Sequence, residues 1–162
     1  MRIRGATFAA LLCAVLSAAS LAQAAPDAVV EGVQLPAWMS RDGKRQPLAI
    51  GTKLRQSDEV FTGAGSRLLL RLGDGSTVKL GEKGSLKLSS VEHRRGKKLF
   101  AATLKVLEGA FRFTTAKLAK TRYTRNVAVQ FPTMTAGIRG TDIWGKNFGD
   151  KEVVVLIEGE IT

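Results

Sequence analysis

Two glutamates stand before glycines in similar surroundings, Val106-Leu-Glu-Gly-Ala-Phe111 and Leu156-Ile-Glu-Gly-Glu-Ile161. Two carboxylates can hydrolyse a glycosidic bond when a fold holds them roughly 5 to 10 Å apart. Nothing in the sequence sets the separation of Glu108 and Glu158, and a glutamate beside a turn glycine is ordinarily solvated. Each Glu-Gly pair therefore reads as a turn or bulge that ends one strand and starts the next, with Phe111 and Phe113 pointing inward together afterwards. The only histidine, His93, precedes Arg94-Arg95 and reads as an exposed loop residue. A histidine metal site or a Ser-His-Asp triad would have at most one member here.

Other constellations are equally incomplete. Gly63-Ala-Gly-Ser-Arg-Leu68 lacks the third glycine and the strand-to-helix setting of a phosphate loop. Gly73-Asp-Gly-Ser76 lacks the carboxylate series of a calcium loop. No catalytic residue, metal ligand or cofactor is assigned; a small hydrolase using serine and lysine is kept as an alternative.

Cations are the more informative chemistry. From Arg94 to Arg125 there are ten basic residues, Arg94, Arg95, Lys97, Lys98, Lys105, Arg112, Lys117, Lys120, Arg122 and Arg125, against the single acid Glu108. Elsewhere beyond residue 24 the basic and acidic residues balance at 13 each, so this window carries the whole excess. Such asymmetry attracts anionic polymers and is screened by salt; a solvated surface without a partner is the plainer reading. In Phe131-Pro-Thr-Met-Thr-Ala-Gly-Ile-Arg-Gly-Thr-Asp-Ile-Trp144, Gly140 interrupts a strand-like run and marks a bulge. Thr141 and Asp142 can cap backbone amides there, with Arg139 paired to Asp142 or another carboxylate. Alternatively Arg139 presents its planar donor fork to a carboxylate or phosphate ligand.

The compartment follows from the first 24 residues. Arg2 and Arg4 precede a mostly apolar stretch from Ala6 to Leu21, and Ala22-Gln-Ala24 is a small-x-small cleavage site, the pattern of an export signal. An uncleaved anchor is the alternative, although the stretch is short for a bilayer span. Cys13 falls within this segment, so the exported chain has no cysteine and no disulfide framework. The remaining 138 residues suffice for one core, and no later apolar run is long enough to span a membrane. A periplasmic location makes anionic envelope polymers or another envelope protein the expected partners. Nucleic acid is not expected, and any membrane contact is peripheral.

The elements that position these residues read as strands and turns. Residues 25–47, with three prolines and a polar turn at 40–46, read as a leader with at most two short strands, and Leu48 to Phe61 as the first packed piece. Leu68-Leu-Leu-Arg-Leu72 and Thr77-Val-Lys-Leu80 flank Gly73-Asp-Gly-Ser76, a hairpin pattern because Gly and Asp tolerate positive φ. Ser85-Leu-Lys-Leu-Ser89 alternates as a half-buried strand does. Residues 114–125 hold little to bury and read as a basic loop, with a short helix as the alternative, while Trp38 and Trp144 read as packing or rim residues.

In order, Gly51-Thr-Lys-Leu54, Asp58-Glu-Val-Phe-Thr-Gly63, Ser66-Arg-Leu-Leu-Leu-Arg-Leu-Gly-Asp-Gly-Ser76, Leu107-Glu-Gly-Ala-Phe111, Ile138-Arg-Gly-Thr141 and Leu156-Ile-Glu-Gly159 form a succession that resembles FecR-like periplasmic domains. The resemblance spans residues 48–162. It implies an all-β domain after the signal segment, a compact barrel or sandwich or a short β-solenoid, used for recognition. It marks Asp74, Gly75, Ser76, Glu108, Gly109, Arg139, Gly140, Thr141, Glu158 and Gly159 as motif residues of structural character. Candidate partner-binding residues are Arg94, Arg95, Lys97, Lys98, Lys117, Lys120, Arg122, Arg125 and Arg139. The best-known relatives are transmembrane regulators with a cytoplasmic domain before their membrane helix. This chain opens on a signal segment, so their iron-signalling relay is not carried over, and a module contacting a membrane receptor or regulator remains the alternative. The sequence stops at Ile161-Thr162, where a strand ordinarily continues, and is read as open to a further module downstream.

Overall fold

A computed structural model describes residues 26–94, 96, 98–117 and 123–162. The expected signal segment, Arg95, Lys97, Lys120 and Arg122 lie outside the described residues. The strands are β1 (Ala28–Gln34), β2 (Ala37–Arg41), β3 (Lys44–Pro47), β4 (Lys53–Leu54), β5 (Glu59–Thr62), β6 (Arg67–Leu72), β7 (Thr77–Leu80), β8 (Ser85–Arg94), β9 (Leu99–Thr114), β10 (Thr124–Gln130), β11 (Thr135–Asn147) and β12 (Glu152–Ile161). They join in one sheet that curls into an open half-barrel, which bears out the all-β expectation.

Local chemistry explains most of these strands. Asp42 (φ 50°) and Gly43 (φ 74°) form a two-residue turn between β2 and β3, with both residues left-handed as a tight hairpin requires. Between β6 and β7 the expected hairpin is present: Gly75 has φ 89°, and the Asp74 carboxylate accepts from the Ser76 amide and hydroxyl, both at 2.9 Å. Segment 25–47 differs from expectation. It supplies three strands and buries Ala28, Val30, Ala37 and Met39 in the common core. Its prolines do not obstruct this, because Pro26 precedes β1, Pro36 falls between β1 and β2, and Pro47 ends β3, an edge strand.

Strand β9 is the spine of the sheet. Its first half lies between β8 and a parallel β10; its last six residues pair with β11, and the last four of these also pair with β7. The exchange of partners occurs at Gly109, which has φ 83°. A Cβ placed there would stand 2.7 Å from Gly84 Cα, so both backbones need glycine to cross. Glu108-Gly109 thus bends a continuous strand where the sequence reading ended one, because a bulge with a left-handed glycine turns the strand while keeping its ladder. Strand β11 repeats the device, passing from β10 to β9 across a bulge at Gly140 (φ 66°) that faces Gly159 (φ 97°). Phe111 and Phe113 both point inward, as expected, and join Phe100, Leu86, Leu88, Leu104 and Val129 in the core.

Gly109→Ala is expected to destabilise the protein by about 2 kcal/mol or more in urea unfolding, through a left-handed backbone plus a backbone clash. Gly51 has φ 85° but open space around a Cβ. Gly51→Ala should show the conformational part alone, about 1 kcal/mol, and equal losses at the two positions would show that the crossing at Gly84 does not matter.

Candidate functional site

Counting back from Phe131 through Val129 and Val127, the alternation of β10 puts Arg125 on the inward face, opposite Phe100 of β9. Its side chain is 6% exposed, and its partner Asp74 is fully enclosed. Arg125 Nε donates to Asp74 Oδ2 at 3.0 Å, with Nη2 2.9 Å from the same oxygen as an ion pair; Nη2 donates to Ser76 Oγ at 3.1 Å, and Nη1 donates to Thr115 Oγ1 at 3.0 Å. Thr115 Oγ1 also accepts from the Thr141 amide at 3.1 Å, and the Ala116 amide donates to Ser76 Oγ at 3.4 Å. The β6–β7 tip, the end of β9, the start of β10 and the bulge of β11 therefore meet on one guanidinium. Burying these charges is tolerable because each of the three guanidinium nitrogens finds an acceptor and the carboxylate lies against the cation.

Arg125 was expected to lie in a basic loop and to face a partner. The structure corrects both points: it lies in a strand and is consumed inside the fold. Thr115, which completes the network, was not singled out by the sequence reading, since only the register of β9 against β11 brings it to Thr141.

A second pair lies on the outer face. Arg112 Nε and Nη2 donate to the two oxygens of Asp142 at 2.9 and 2.7 Å, and Thr114 Oγ1 donates to Oδ1 at 3.3 Å. Asp142 was expected to pair with Arg139 or to cap backbone amides. Strand register instead sets it opposite Thr114 of β9, beside Arg112, while Arg139 is exposed and has no ion pair among the described residues. Thr141 uses its hydroxyl to donate to the Glu160 carbonyl at 2.8 Å, closing the Gly140–Gly159 corner. Hydrogen bonds from Arg112 hold the Asp142 carboxyl below the ordinary carboxylate range, against the opposing effect of partial burial, and Asp142 in turn raises the Arg112 guanidinium.

The remaining candidates lie outside both clusters. Arg94, Lys98 and Lys117 are exposed, and Arg94 pairs only with Glu92 on its own strand, a surface contact of small energetic weight. Register sets Glu158 level with Asp142 and Thr114, six residues along β9 from Glu108, roughly 20 Å at strand rise. That is too far for a carboxylate pair to share one bond. His93 differs from its expected loop setting: it lies in β8, edge-on to Phe100 and Tyr123 with ring centres 5.7 and 5.1 Å away. Among the described residues no three metal-ligating side chains converge, and no helix is long and apolar enough to cross a membrane.

A half-barrel whose Gly140 corner and Asp-Gly-Ser tip are tied by one buried arginine defines an all-β module. The family signature described as FecR protein matches residues 58–162, and the chain belongs to that family. Comparison with curated proteins and with solved structures finds no significant match. FecR domains are typically periplasmic or membrane-associated and belong to a non-enzymatic signalling family.

Arg125→Met should cost about 3 to 5 kcal/mol in urea unfolding, because it leaves Asp74 charged and enclosed. Adding Asp74→Leu should restore most of the loss, and a double variant no better than the single would rule out an uncompensated charge as the cause. For Asp142 the folded carboxyl titrates below the unfolded one, so its stabilisation is full above the unfolded pKa and fades as pH falls through the folded value. The melting-temperature gap between the wild type and Asp142→Asn should hold steady near neutrality and close below about pH 4.

Proposed function

We propose that this FecR domain is a non-enzymatic recognition module of the cell envelope, and that its basic rim docks an anionic envelope partner. The family supports the class, as FecR domains are consistent with periplasmic signalling and regulation. One observation carries the finer reading. The Arg125 network draws residues 115–117 to the start of β10, whose Thr124 amide donates to the Lys98 carbonyl at 2.7 Å. Arg94 stands opposite Leu99, next to Lys98, and Lys117 follows the tethered Ala116, which supports reading these three exposed cations as one rim with no buried carboxylate committed to them. Arg139 is exposed two residues before Thr141, which bonds to the same segment. The fold supplies the rigidity, and the rim supplies charge that has not been spent on internal pairs.

Membership in a signalling family favours a second reading, in which the same rim meets the periplasmic part of a membrane receptor or regulator. Polymers and proteins are separable by experiment. Retention of the protein on purified cell-wall material across a salt series should fall steadily with ionic strength. The variant Arg94→Glu, Lys98→Glu, Lys117→Glu should lose about tenfold in retention at low salt. Retention that ignores both salt and these three changes would remove the basic rim as the docking surface.

A further inference from the structure

The outer face of the second half of the sheet carries a groove that none of the motif residues explains. Strand register places Leu69, Lys79, Arg112, Trp144 and Val155 side by side in one line across β6, β7, β9, β11 and β12. The first four of these line a groove of about 720 Å³, together with Arg67 and Lys146. That volume falls within the range of small-ligand sites. Its floor is low because glycines and an alanine stand where larger side chains would fill it: Gly32, Gly65, Gly81 and Ala110.

The charges of this groove do not cancel. Arg67, Lys79 and Lys146 have no ion pair among the described residues. Lys146 Nζ rests 4.5 Å from the centre of the Phe148 ring, which orients it without neutralising it. Arg112 spends Nε and Nη2 on Asp142 but has no hydrogen bond at Nη1 among the described residues, and its side chain is 43% exposed. The one acid of the lining, Glu82, accepts from the Gly65 amide at 2.7 Å. Trp144 is half-buried beside Arg112 and is the one aromatic of the lining that is not buried. A phosphate or a simple carboxylate would use the cations and leave the indole idle. An acidic sugar chain uses both, since a pyranose ring offers an apolar face to an aromatic plane while its carboxylates reach the flanking cations.

We propose that this groove binds an acidic oligosaccharide, with Trp144 packed on the face of one sugar ring and Lys79, Arg112 and Lys146 receiving carboxylates from that ring and its neighbours. Arg112 is pre-aimed by Asp142, so its Nη1 meets the ligand without losing side-chain freedom. None of Arg94, Lys98 and Lys117 lines this groove, and the proposal does not depend on that rim's role.

The probe is a galacturonic acid hexamer, titrated into the whole exported chain carrying Trp38→Phe, with Trp144 fluorescence and calorimetry as readouts. Saturable quenching is expected, weakening as salt rises. Trp144→Ala should weaken calorimetric binding by about tenfold or more, while Trp144→Phe, which keeps an aromatic face, should lose less. Lys79→Gln and Lys146→Gln should each lose about threefold and reduce the salt dependence. Unchanged melting temperatures in the lysine variants would show that these losses are not unfolding. The rim variant Arg94→Glu, Lys98→Glu, Lys117→Glu should leave this titration unaltered. The proposal is overturned by absence of binding, by equal affinity for polyglutamate, oligo-dT or a neutral chitin hexamer, or by Trp144→Ala binding as tightly as Trp144→Phe.

Discussion

Two backbone crossings in this protein leave no room for a Cβ atom, and the curl of the sheet depends on them. At Gly109 a side chain would meet Gly84 Cα at 2.7 Å, and at Gly159 it would meet the Gly140 carbonyl oxygen at 2.7 Å and Thr141 Cα at 2.8 Å. Contacts that short admit no local adjustment, since the opposing atoms are main chain. Each crossing sits where a long strand changes partners, β9 at Gly109 and β11 at Gly140. A flat sheet would keep one neighbour on each side of a strand along its whole length. Bending two strands at glycine lets a single sheet turn a corner and enclose a core without a second layer.

The buried arginine acts at the end of that corner. Parallel strands need a crossover connection, and the β9–β10 pair is the parallel exception in a sheet otherwise joined by antiparallel ladders. Such a pair has no tight turn to fix its register. Arg125 supplies a substitute: its fork meets Asp74, Ser76 and Thr115 only when β10 lies with Arg125 opposite Phe100. A one-residue slip would turn the guanidinium to solvent and leave Asp74 enclosed without a countercharge. Specificity of register is the better account of this cluster than stability, because an apolar replacement of similar shape forgoes the desolvation cost altogether.

The parts of this design that were legible from the residues are those set by near neighbours. The Gly73–Ser76 tip is fixed by φ preferences within four residues, and the inward phase of Phe111 and Phe113 by alternation. Arg125 shares the phase of Val127, Val129 and Phe131, so its burial was written in the same period. The charge run around it outweighed that pattern, because an unpaired arginine is almost never enclosed, and the partner that makes it tolerable lies fifty-one residues earlier. The pairing of Asp142 with Arg112 was hidden in the same way: Arg139 is nearer in sequence, but strand register and a bulge decide which cation stands beside the carboxylate. Three prolines make segment 25–47 resemble a leader, but their placement outside strands or at the end of an edge strand is what admits three strands.

Charge in this molecule is gathered in two ways that sequence displays unequally. A run such as 94–125 is visible at once, yet Arg125 is consumed by Asp74 and Arg112 is shared with Asp142, so its surface excess is smaller than its composition implies. The Trp144 groove works the other way. Its cations come from residues 67, 79, 112 and 146, none adjacent in sequence, and they share a surface only because four neighbouring strands run in register. In a sheet protein a positive patch is a row across strands, and the side chains that form it are spaced by hairpin lengths. Ligand specificity can therefore change through single substitutions on separate strands while the corner glycines and the Arg125 cluster keep the scaffold unchanged.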